Sequence, residues 1–320
     1  MAVFIDMFCG GGLGARGAVM AGCTPFFAVD SWSTATATYQ DNFPGAKVLN
    51  KSIEKLNPKR LLGGQRVDLL LTSPECTSHS PAKGAKTGSE TSRKTALTAL
   101  VWAEKIKPRW IILENVPQIR NWGRYPELTD GLKELGYGIR EQIVDASEFG
   151  VPQARRRLFI MCELDNEPAP LKRRDSIKRS ARTVLDPRGI WDTTPLYAEN
   201  RAEGTLERAE TAINSLGSSA SFLLVYYGSD GGGGWQPLDE PLRTVTTLDR
   251  FALVEKLKGE YRMRMLQPNE LAKAMGLPNS HKFNHGTRRD KVKLCGNGIC
   301  APVMRRVVSS LIPAKYRKKS

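Results

Sequence analysis

The 320-residue chain lacks features that would place it in several large classes of protein. It has no uninterrupted run of about 18 apolar residues, so we expect no transmembrane helix. Its first residues, MAVFID, carry no basic segment and read as a strand, which argues against a secretory signal peptide. Acidic residues are also scarce: 33 Asp and Glu oppose 48 Lys and Arg, a formal net charge of +15. This excess favours a polyanionic partner, most often nucleic acid.

Cysteine and histidine are too scattered for a disulfide framework or a metal site. The six cysteines, at positions 9, 23, 76, 162, 295 and 300, form no C-x-x-C pair. Cys295 and Cys300 lie near His281 and His285, but the spacing fits no common zinc pattern. We therefore expect reduced thiols, no metal and a cytoplasmic protein.

The first half of the sequence alternates short apolar runs with helical patterns. Strands are predicted at residues 3–7, 26–29, 48–49, 67–71, 110–113, 137–144 and 157–162. Helices are predicted between them, ending near residue 21 and covering residues 34–42, 95–106 and 128–135. This alternation predicts an α/β fold with a doubly wound, Rossmann-like, mostly parallel sheet.

The alternation is lost after about residue 163. Prolines, the basic run 172–182 and scattered turns follow, and strands are predicted only at residues 222–227 and 242–247, around the glycine-rich loop 228–234. We divide the chain into a first domain over residues 1–164, a smaller irregular domain over 165–260 and a C-terminal segment over 261–320.

A glycine-rich turn follows the first predicted strand. The segment FCGGGLG, residues 8–14, opens a helix, and Asp30 ends the second strand about 20 residues later. Glycines let the backbone approach a ligand closely, and an acid at this distance can accept hydrogen bonds from ribose hydroxyls. NAD, FAD and S-adenosylmethionine fit this pattern equally well. No G-K-[ST] follows, which argues against a phosphate-binding P-loop.

The segment TSPECTSHS, residues 72–80, follows another predicted buried strand. Open α/β sheets place their ligands at the carboxyl ends of strands, so Cys76 is the candidate nucleophile. The alternative interpretation of a single cysteine is a small buried apolar residue.

Further short motifs follow these two segments along the chain. They are Glu114-Asn115-Val116, the run QARRR at residues 153–157, and Gly296-Asn297-Gly298. The ordered set spans nearly the whole chain and resembles the DNA (cytosine-5)-methyltransferase family of bacteria and phages. The resemblance implies an enzyme that flips a cytosine out of duplex DNA and methylates its carbon 5. It also implies S-adenosylmethionine as cofactor, S-adenosylhomocysteine as product and no metal.

The resemblance assigns catalytic roles to four side chains. Cys76 would add to C6 of the cytosine, because a thiolate attacks well near neutral pH. Glu114 would stabilise the charge that develops at N3 and contact the exocyclic amine. Arg155 and Arg157, two apart on a strand and so on one face, would hold the base carbonyl and a nearby phosphate. A solvated strand is the alternative for this arginine run.

The resemblance also implies a cofactor site and a DNA interface. The residues expected at the cofactor are Phe8, Gly10, Gly12, Asp30, Ser31, Trp32, Ser52, Ile53, Pro74 and Asn297. Those expected at DNA are Ser78, His79, Ser80 and Arg93 in a closing loop over residues 77–93, and Gln153, Tyr227, Arg243 and Arg250. The middle domain would be the target-recognition domain, and the C-terminal segment would complete the catalytic domain.

A few positions depart from the family pattern. Glu75 and Thr77 flank the nucleophile where the family has Pro and Gln, and a neighbouring carboxylate disfavours a thiolate. Ser52 stands where an Asp is expected beside the adenine, and Ser31 precedes the aromatic Trp32.

We expect a monomeric enzyme that acts on double-stranded DNA at the nucleoid, as a lone methyltransferase or as the partner of a separately encoded restriction endonuclease. One alternative is the same reaction on cytosine in tRNA. A second is a catalytically weak or silent nucleic-acid-binding relative, which Glu75 motivates. A third, a nicotinamide-dependent oxidoreductase, rests on the glycine turn and Asp30 alone and leaves the E-N-V and QARRR motifs unexplained.

Overall fold

The structure is a computed structural model that describes residues 1–74, 95–173, 178–227 and 233–318. Several residues discussed above lie outside these ranges: Glu75, Cys76, Thr77, Ser78, His79, Ser80 and Arg93. The predicted closing loop over residues 77–93 lies outside them as well.

The larger sheet is formed by the first half of the chain. Its strands are β1 (Val3–Met7), β2 (Thr24–Asp30), β3 (Lys47–Asn50), β4 (Leu69–Thr72), β5 (Trp110–Asn115), β6 (Tyr137–Asp145) and β7 (Arg156–Leu164). Among the described residues their order is β3-β2-β1-β4-β5-β7-β6. All neighbours pair in parallel except β7, which is antiparallel to both β5 and β6. The predicted doubly wound α/β sheet is confirmed, and its order switches between β1 and β4, where such sheets bind ligands.

The helices cover both faces of this sheet and part of the second domain. They are α1 (Leu13–Met20), α2 (Ser33–Asn42), α3 (Pro58–Leu62), α4 (Thr98–Ile106), α5 (Tyr125–Glu134), α6 (Glu203–Leu216), α7 (Pro268–Ala274), α8 (Arg288–Asn297) and α9 (Ala301–Leu311). The helix predicted over 95–106 begins with a 3-10 turn, Thr95–Leu97. In the part of the chain that the structure describes, no helix combines the length and apolar character needed to cross a membrane.

Side-chain alternation along the strands divides the core into two layers. In β5, Trp110 and Ile112 pack in the layer that contains α1 and α9. Ile111 and Leu113 pack in the opposite layer, with α4 and α5. Because successive side chains of a strand point to opposite faces, Glu114 leaves β5 on the same side as Ile112.

A smaller antiparallel sheet follows. Its strands are β8 (Thr194–Pro195), β9 (Phe222–Val225), β10 (Trp235–Pro237), β11 (Phe251–Leu257) and β12 (Glu260–Met265). Their order among the described residues is β10-β9-β11-β12-β8, and α6 packs on one face through Ala209 and Ala212. The second sheet extends past the predicted domain boundary at residue 260. Its strand β12 begins at that residue and ends at Met265.

The strand predicted over residues 242–247 is wrong. Leu242 makes a single isolated bridge to Gln153, and the residues after it are irregular. Their polar groups bond to the first domain instead: Thr244 Oγ1 donates to the Ala154 carbonyl oxygen at 2.8 Å. This segment therefore joins the two domains and does not extend the second sheet.

The C-terminal segment returns to the first domain. Helix α9 contributes Val303, Val307 and Leu311 to the core layer that it shares with α1. Beyond it, the Tyr316 ring meets the Trp110 ring edge-on, with centroids 5.4 Å apart. The basic end of the chain is thus held at the amino-terminal side of β5.

Candidate active site

The glycine-rich turn lies between β1 and α1, at the switch in strand order. Asp30 Oδ2 accepts a hydrogen bond from the Gly10 N–H at 2.9 Å, and its Oδ1 accepts one from the Trp32 N–H at 2.9 Å. The carboxylate thereby ties together the loops that follow β1 and β2. Gly10 has a φ of 51°, and a Cβ there would meet no atom within 4 Å. The turn therefore opens on space beside Asp30 that can receive a ligand.

Charge and aromatic surface adjoin this space. Burial raises the pKa of Asp30, while the Trp32 and Gly10 N–H groups and the Lys293 ammonium partly offset the rise. The Lys293 Nζ lies 4.3 Å from the centre of the half-buried Trp32 ring. A carboxylate acceptor beside an indole suits a ribose and a purine. The residues present therefore fit the adenosine part of S-adenosylmethionine.

The other residues predicted at the cofactor follow the same edge of the sheet. Phe8 follows β1 with a φ of 58°, a conformation that is costly for a non-glycine residue. Ser52 and Ile53 follow β3; the Ser52 hydroxyl bonds to the Glu54 carboxylate, and the Ile53 side chain is buried in the core. Pro74 follows β4. Parallel strands bring these loops to one edge, as predicted, while the cofactor contact of each residue stays a prediction.

A buried polar cluster beneath the turn escaped the sequence analysis. Asp6, in β1, is 6% exposed, and burial together with the Asp30 charge raises its pKa. The Tyr39 hydroxyl and Thr38 Oγ1 are buried without a hydrogen-bond partner among the described residues. The available signal was the acid itself, since Asp6 interrupts the apolar run of a central strand.

His281 belongs to the same region. The Arg16 Nε donates to His281 Nδ1 at 3.4 Å, linking the segment after α7 to helix α1. Burial, with a further contribution from the Arg16 charge, lowers the pKa of His281 to about 4. The imidazole is therefore neutral at physiological pH and accepts a hydrogen bond from Arg16.

The predicted catalytic acid lies at the carboxyl end of β5. Glu114 is 6% exposed, and its Oε1 lies 3.1 Å from the Arg157 Nε. Burial raises the pKa of Glu114, and the charges of Arg157 and Arg155 offset only part of that rise. A carboxyl group with a raised pKa can hold a proton and donate it to a ring nitrogen.

Asn115 fixes the ends of two neighbouring strands beside Glu114. Its Nδ2 donates to the Pro74 carbonyl oxygen at 3.1 Å, and its Oδ1 accepts from the Val116 N–H at 2.8 Å. Pro74 is the last described residue before the segment that contains Cys76. The chain that leads to the predicted nucleophile is therefore anchored next to Glu114.

Arg155 binds protein backbone. It is 3% exposed and donates to the carbonyl oxygens of Val245, Gly296 and Gly298 at 2.8, 2.8 and 3.0 Å. The side chain thereby connects three distant parts of the chain. Arg155 and Arg157 line one small cavity, but Arg155 lies just before β7 and not on the strand as predicted. Their contact with a base or phosphate stays a prediction.

Gln153 requires a correction. It was predicted to contact DNA, yet it is fully buried. Its Nε2 donates to the Ala274 carbonyl oxygen at 3.0 Å, and its Oε1 accepts from the Val245 N–H at 2.9 Å. Because both ends of the amide are bonded in the interior, the side chain holds the two domains together and does not face the DNA.

The other predicted DNA contacts that the structure describes lie in the second domain and are partly exposed. The Tyr227 hydroxyl donates to the Thr244 carbonyl oxygen. The Arg250 Nη1 donates to the Tyr226 carbonyl oxygen at 2.6 Å. The backbone N–H of Arg243 donates to the Gln236 side chain. Arg243 lies three residues before Thr246, which packs on the G-N-G turn. These positions border the domain junction, and their contact with DNA stays a prediction.

The G-N-G turn fits between both domains. A Cβ at Gly296 would lie 2.3 Å from the Thr246 carbonyl oxygen, and one at Gly298 would lie 2.2 Å from a Leu13 methyl group. A Cβ at Gly296 would require the backbone of Thr246 to move, and one at Gly298 would require the Leu13 side chain to move. These close approaches place the exposed Asn297 between Thr246 and α1, the helix that follows the glycine-rich turn.

Comparisons with known proteins agree with this geometry. The profile of the family described as C-5 cytosine-specific DNA methylase matches residues 2–313. Type II methyltransferase M.AgeI of Thalassovita gelatinovora is 32% identical over 51% of this chain, which spans 40% of that protein. Type II methyltransferase M.MthTI of Methanothermobacter thermautotrophicus is 26% identical over 92% of both. The crystal structure of a DNMT2 variant of Spodoptera frugiperda is 18% identical, with a TM-score of 0.72 over 97% of this chain and 99% of that one, and shares the fold.

Proposed function

Because the chain belongs to the family of C-5 cytosine-specific DNA methylases, we propose that it methylates carbon 5 of a flipped-out cytosine in double-stranded DNA. The observation that supports this most directly is the buried Glu114–Arg157 pair, which adjoins the strand end leading to Cys76. The family implies S-adenosylmethionine as cofactor. The duplex substrate, the flipped base and the covalent role of Cys76 are the proposal.

The cofactor would lie along the carboxyl ends of β1, β2 and β4. Gly10 would let it approach the backbone, Asp30 would accept hydrogen bonds from its ribose, and Trp32 would contact its purine. Asn297, from the G-N-G turn, would close the site. When bound, S-adenosylmethionine supplies the methyl group that carbon 5 receives.

Cys76 and Glu114 would activate the cytosine together. The Cys76 thiolate forms a bond to C6, which moves electron density toward C5 and N3. Glu114, whose pKa is raised by burial, donates a hydrogen bond to N3 and so stabilises that charge. After C5 has received its methyl group, a base removes the C5 proton, the C5–C6 double bond re-forms and the Cys76 sulfur leaves.

The proposed addition to C6 requires the base to leave the duplex, since the ring atoms of a stacked base are not accessible to an enzyme side chain. The extruded cytosine would enter between the first sheet and the second domain, where Arg157 adjoins Glu114. The Type II methyltransferases among the relatives support a place in a restriction–modification pair, with a cognate endonuclease encoded separately.

The first test is transfer of a labelled methyl group from S-adenosylmethionine to duplex DNA and to bulk tRNA. We expect label in DNA with the wild type, and a loss of at least about 1,000-fold with Cys76→Ala, because the nucleophile is gone. Cys23→Ala is the matched control: Cys23 is buried just before β2, and its replacement should leave transfer near the wild-type level.

Other outcomes would change the proposal. Label in tRNA alone would move the substrate to RNA. Label in neither, with S-adenosylmethionine bound, would support a silent DNA-binding protein. The covalent step has its own readout, since duplex DNA that contains 5-fluorocytosine should form a stable adduct with the wild type and with Cys23→Ala but not with Cys76→Ala.

A further inference from the structure

A second pocket lies at the edge of the first sheet opposite the candidate active site. It is lined by residues that precede β4 and β5 and by residues at the end of β7, and its volume is about 680 Å³. The carboxyl ends of β4 and β5 carry Pro74 and Glu114, whereas this pocket adjoins their amino ends at Val67 and Arg109. The two sites are therefore separated by the length of the strands.

Positive charge dominates the rim of this pocket. Its lining residues include five cations and one acid, Asp165; the cations are Lys59, Arg66, Lys105, Lys107 and Arg109. The two arginines pair with carboxylates, Arg66 with Asp68 and Arg109 with Glu163. Among the residues that the structure describes, none of the three lysines has a carboxylate within 4.0 Å of its ammonium group. The rim therefore carries uncompensated positive charge.

The floor of the pocket is apolar and one rim cation is held in place. Leu62, Val67, Ile106 and Leu164 line the floor. The Arg109 guanidinium lies 4.8 Å from the Trp110 ring centre and 5.3 Å from that of Tyr316, and it donates to the Tyr316 hydroxyl at 3.1 Å. A fixed guanidinium beside exposed lysine ammonium groups suits phosphate oxygens.

Helix ends account for part of this charge. Lys59 and Lys105 lie in the last turns of α3 and α4, where the helix dipole favours cations. Lys107 lies beyond the end of α4, in a left-handed conformation with a φ of 45°. The helix dipole explains neither the cavity nor the apolar floor beneath these cations.

We propose that this pocket binds a phosphorylated ligand of nucleotide size. Its volume lies in the range of small-molecule sites, which excludes a duplex from the interior. The apolar floor would take the planar base, and the lysines would take the phosphates. The inference does not depend on the proposed methyl transfer.

Fluorescence anisotropy with a labelled guanosine diphosphate tests this site, with saturating S-adenosylhomocysteine present to block the cofactor site. Lys105→Glu/Lys107→Glu should raise the Kd at least about 30-fold, because two attractive charges become repulsive. Lys47→Glu/Lys55→Glu is the matched control. It makes the same change of net charge at exposed positions outside the pocket and should alter the Kd less than about 3-fold.

Competition then identifies the source of the phosphate. Displacement of the probe by free nucleotide alone would indicate a soluble ligand, and displacement by a 5′-phosphorylated single-stranded oligonucleotide would indicate a strand end. Absence of binding in the presence of saturating S-adenosylhomocysteine, or equal weakening in both double variants, would each overturn the proposal. Thermal unfolding checks that the variants are folded, and their methyl transfer to DNA should equal that of the wild type.

Discussion

At the end of β5, the Glu114 carboxyl lies beneath the surface with a guanidinium 3.1 Å away. Burial favours its neutral form and Arg157 favours its charged form, and the net result is a raised pKa. At His281 burial again favours the neutral form, but for a base this lowers the pKa. The surroundings of each group therefore determine its protonation state.

Protonation of His281 should destabilise the protein at acid pH. Its pKa is about 4 in the folded chain and 6.5 when unperturbed, so the unfolded chain binds the proton first as the pH falls. The stability present above pH 6.5 is lost between these values, by about 2 kcal/mol from pH 7 to pH 5. Urea unfolding at both pH values should show that His281→Gln loses less stability than the wild type by that amount.

His281→Asn is the second variant, because it also replaces the imidazole with an amide that does not titrate. It should lose as little stability on acidification as His281→Gln. Equal losses in His281→Gln and the wild type would show that the buried imidazole is not the titrating group.

The meeting of α8, α1 and the segment after Leu242 shows how elements are positioned. Helix α8 ends at a turn whose glycines lie against Thr246 on one side and Leu13 of α1 on the other. Arg155 bonds to the carbonyl oxygens of this turn and of Val245. The G-N-G turn therefore connects the second domain to α1, the helix that follows the glycine-rich turn.

A methyl group at Gly296 should disturb this junction. The Gly296→Ala Cβ would lie 2.3 Å from a carbonyl oxygen of the backbone, which cannot move as a flexible side chain can. We expect a loss of at least about 2 kcal/mol in the free energy of unfolding, together with weaker methyl transfer. Urea unfolding measures the first effect, and Gly45→Ala, whose Cβ would meet no atom within 4 Å, is the control. Equal stability of the two variants would mean that the junction accommodates the methyl group.

Over the whole molecule, the positive charge is spread over opposite edges of the first sheet. Part lies near the domain junction, at Arg243 and Arg250, and part lines the pocket at the amino-terminal edge. The basic tail also lies at that edge, since the Lys318 N–H donates to the Gly22 carbonyl oxygen at 2.8 Å. DNA held at the candidate active site would therefore meet only a share of the +15 net charge.

The salt dependence of DNA binding should show which of these basic side chains contact the DNA. Arg243→Gln is expected to reduce the slope of log K against log salt by about 1, the effect of one lost phosphate contact. Lys105→Glu/Lys107→Glu should leave the slope unchanged, because these lysines lie at the opposite ends of the strands from a duplex at the candidate active site and salt screens their charges. Anisotropy between about 50 and 200 mM salt measures both. The opposite ranking would place the duplex at the amino-terminal edge.

The sequence by itself determined the regular parts of the first domain. The strand predicted over 3–7 is β1, and the helix predicted over 34–42 is α2 to within one residue. Both depend on patterns within a few neighbouring residues, which a sequence displays directly. The sequence also indicated that the glycine-rich turn and Asp30 are neighbours. Both follow strands of a predicted parallel sheet, and the carboxyl ends of parallel strands lie at one edge.

Only the tertiary structure decided which polar residues face a ligand and which hold the domains together. Gln153 and Arg155 bond to groups between 90 and 143 residues away, so no local pattern distinguished them from surface residues. For the same reason residues 242–247, strand-like in sequence, became a connection between domains. A buried polar group must find a partner, and the identity of that partner depends on the packing of the whole chain.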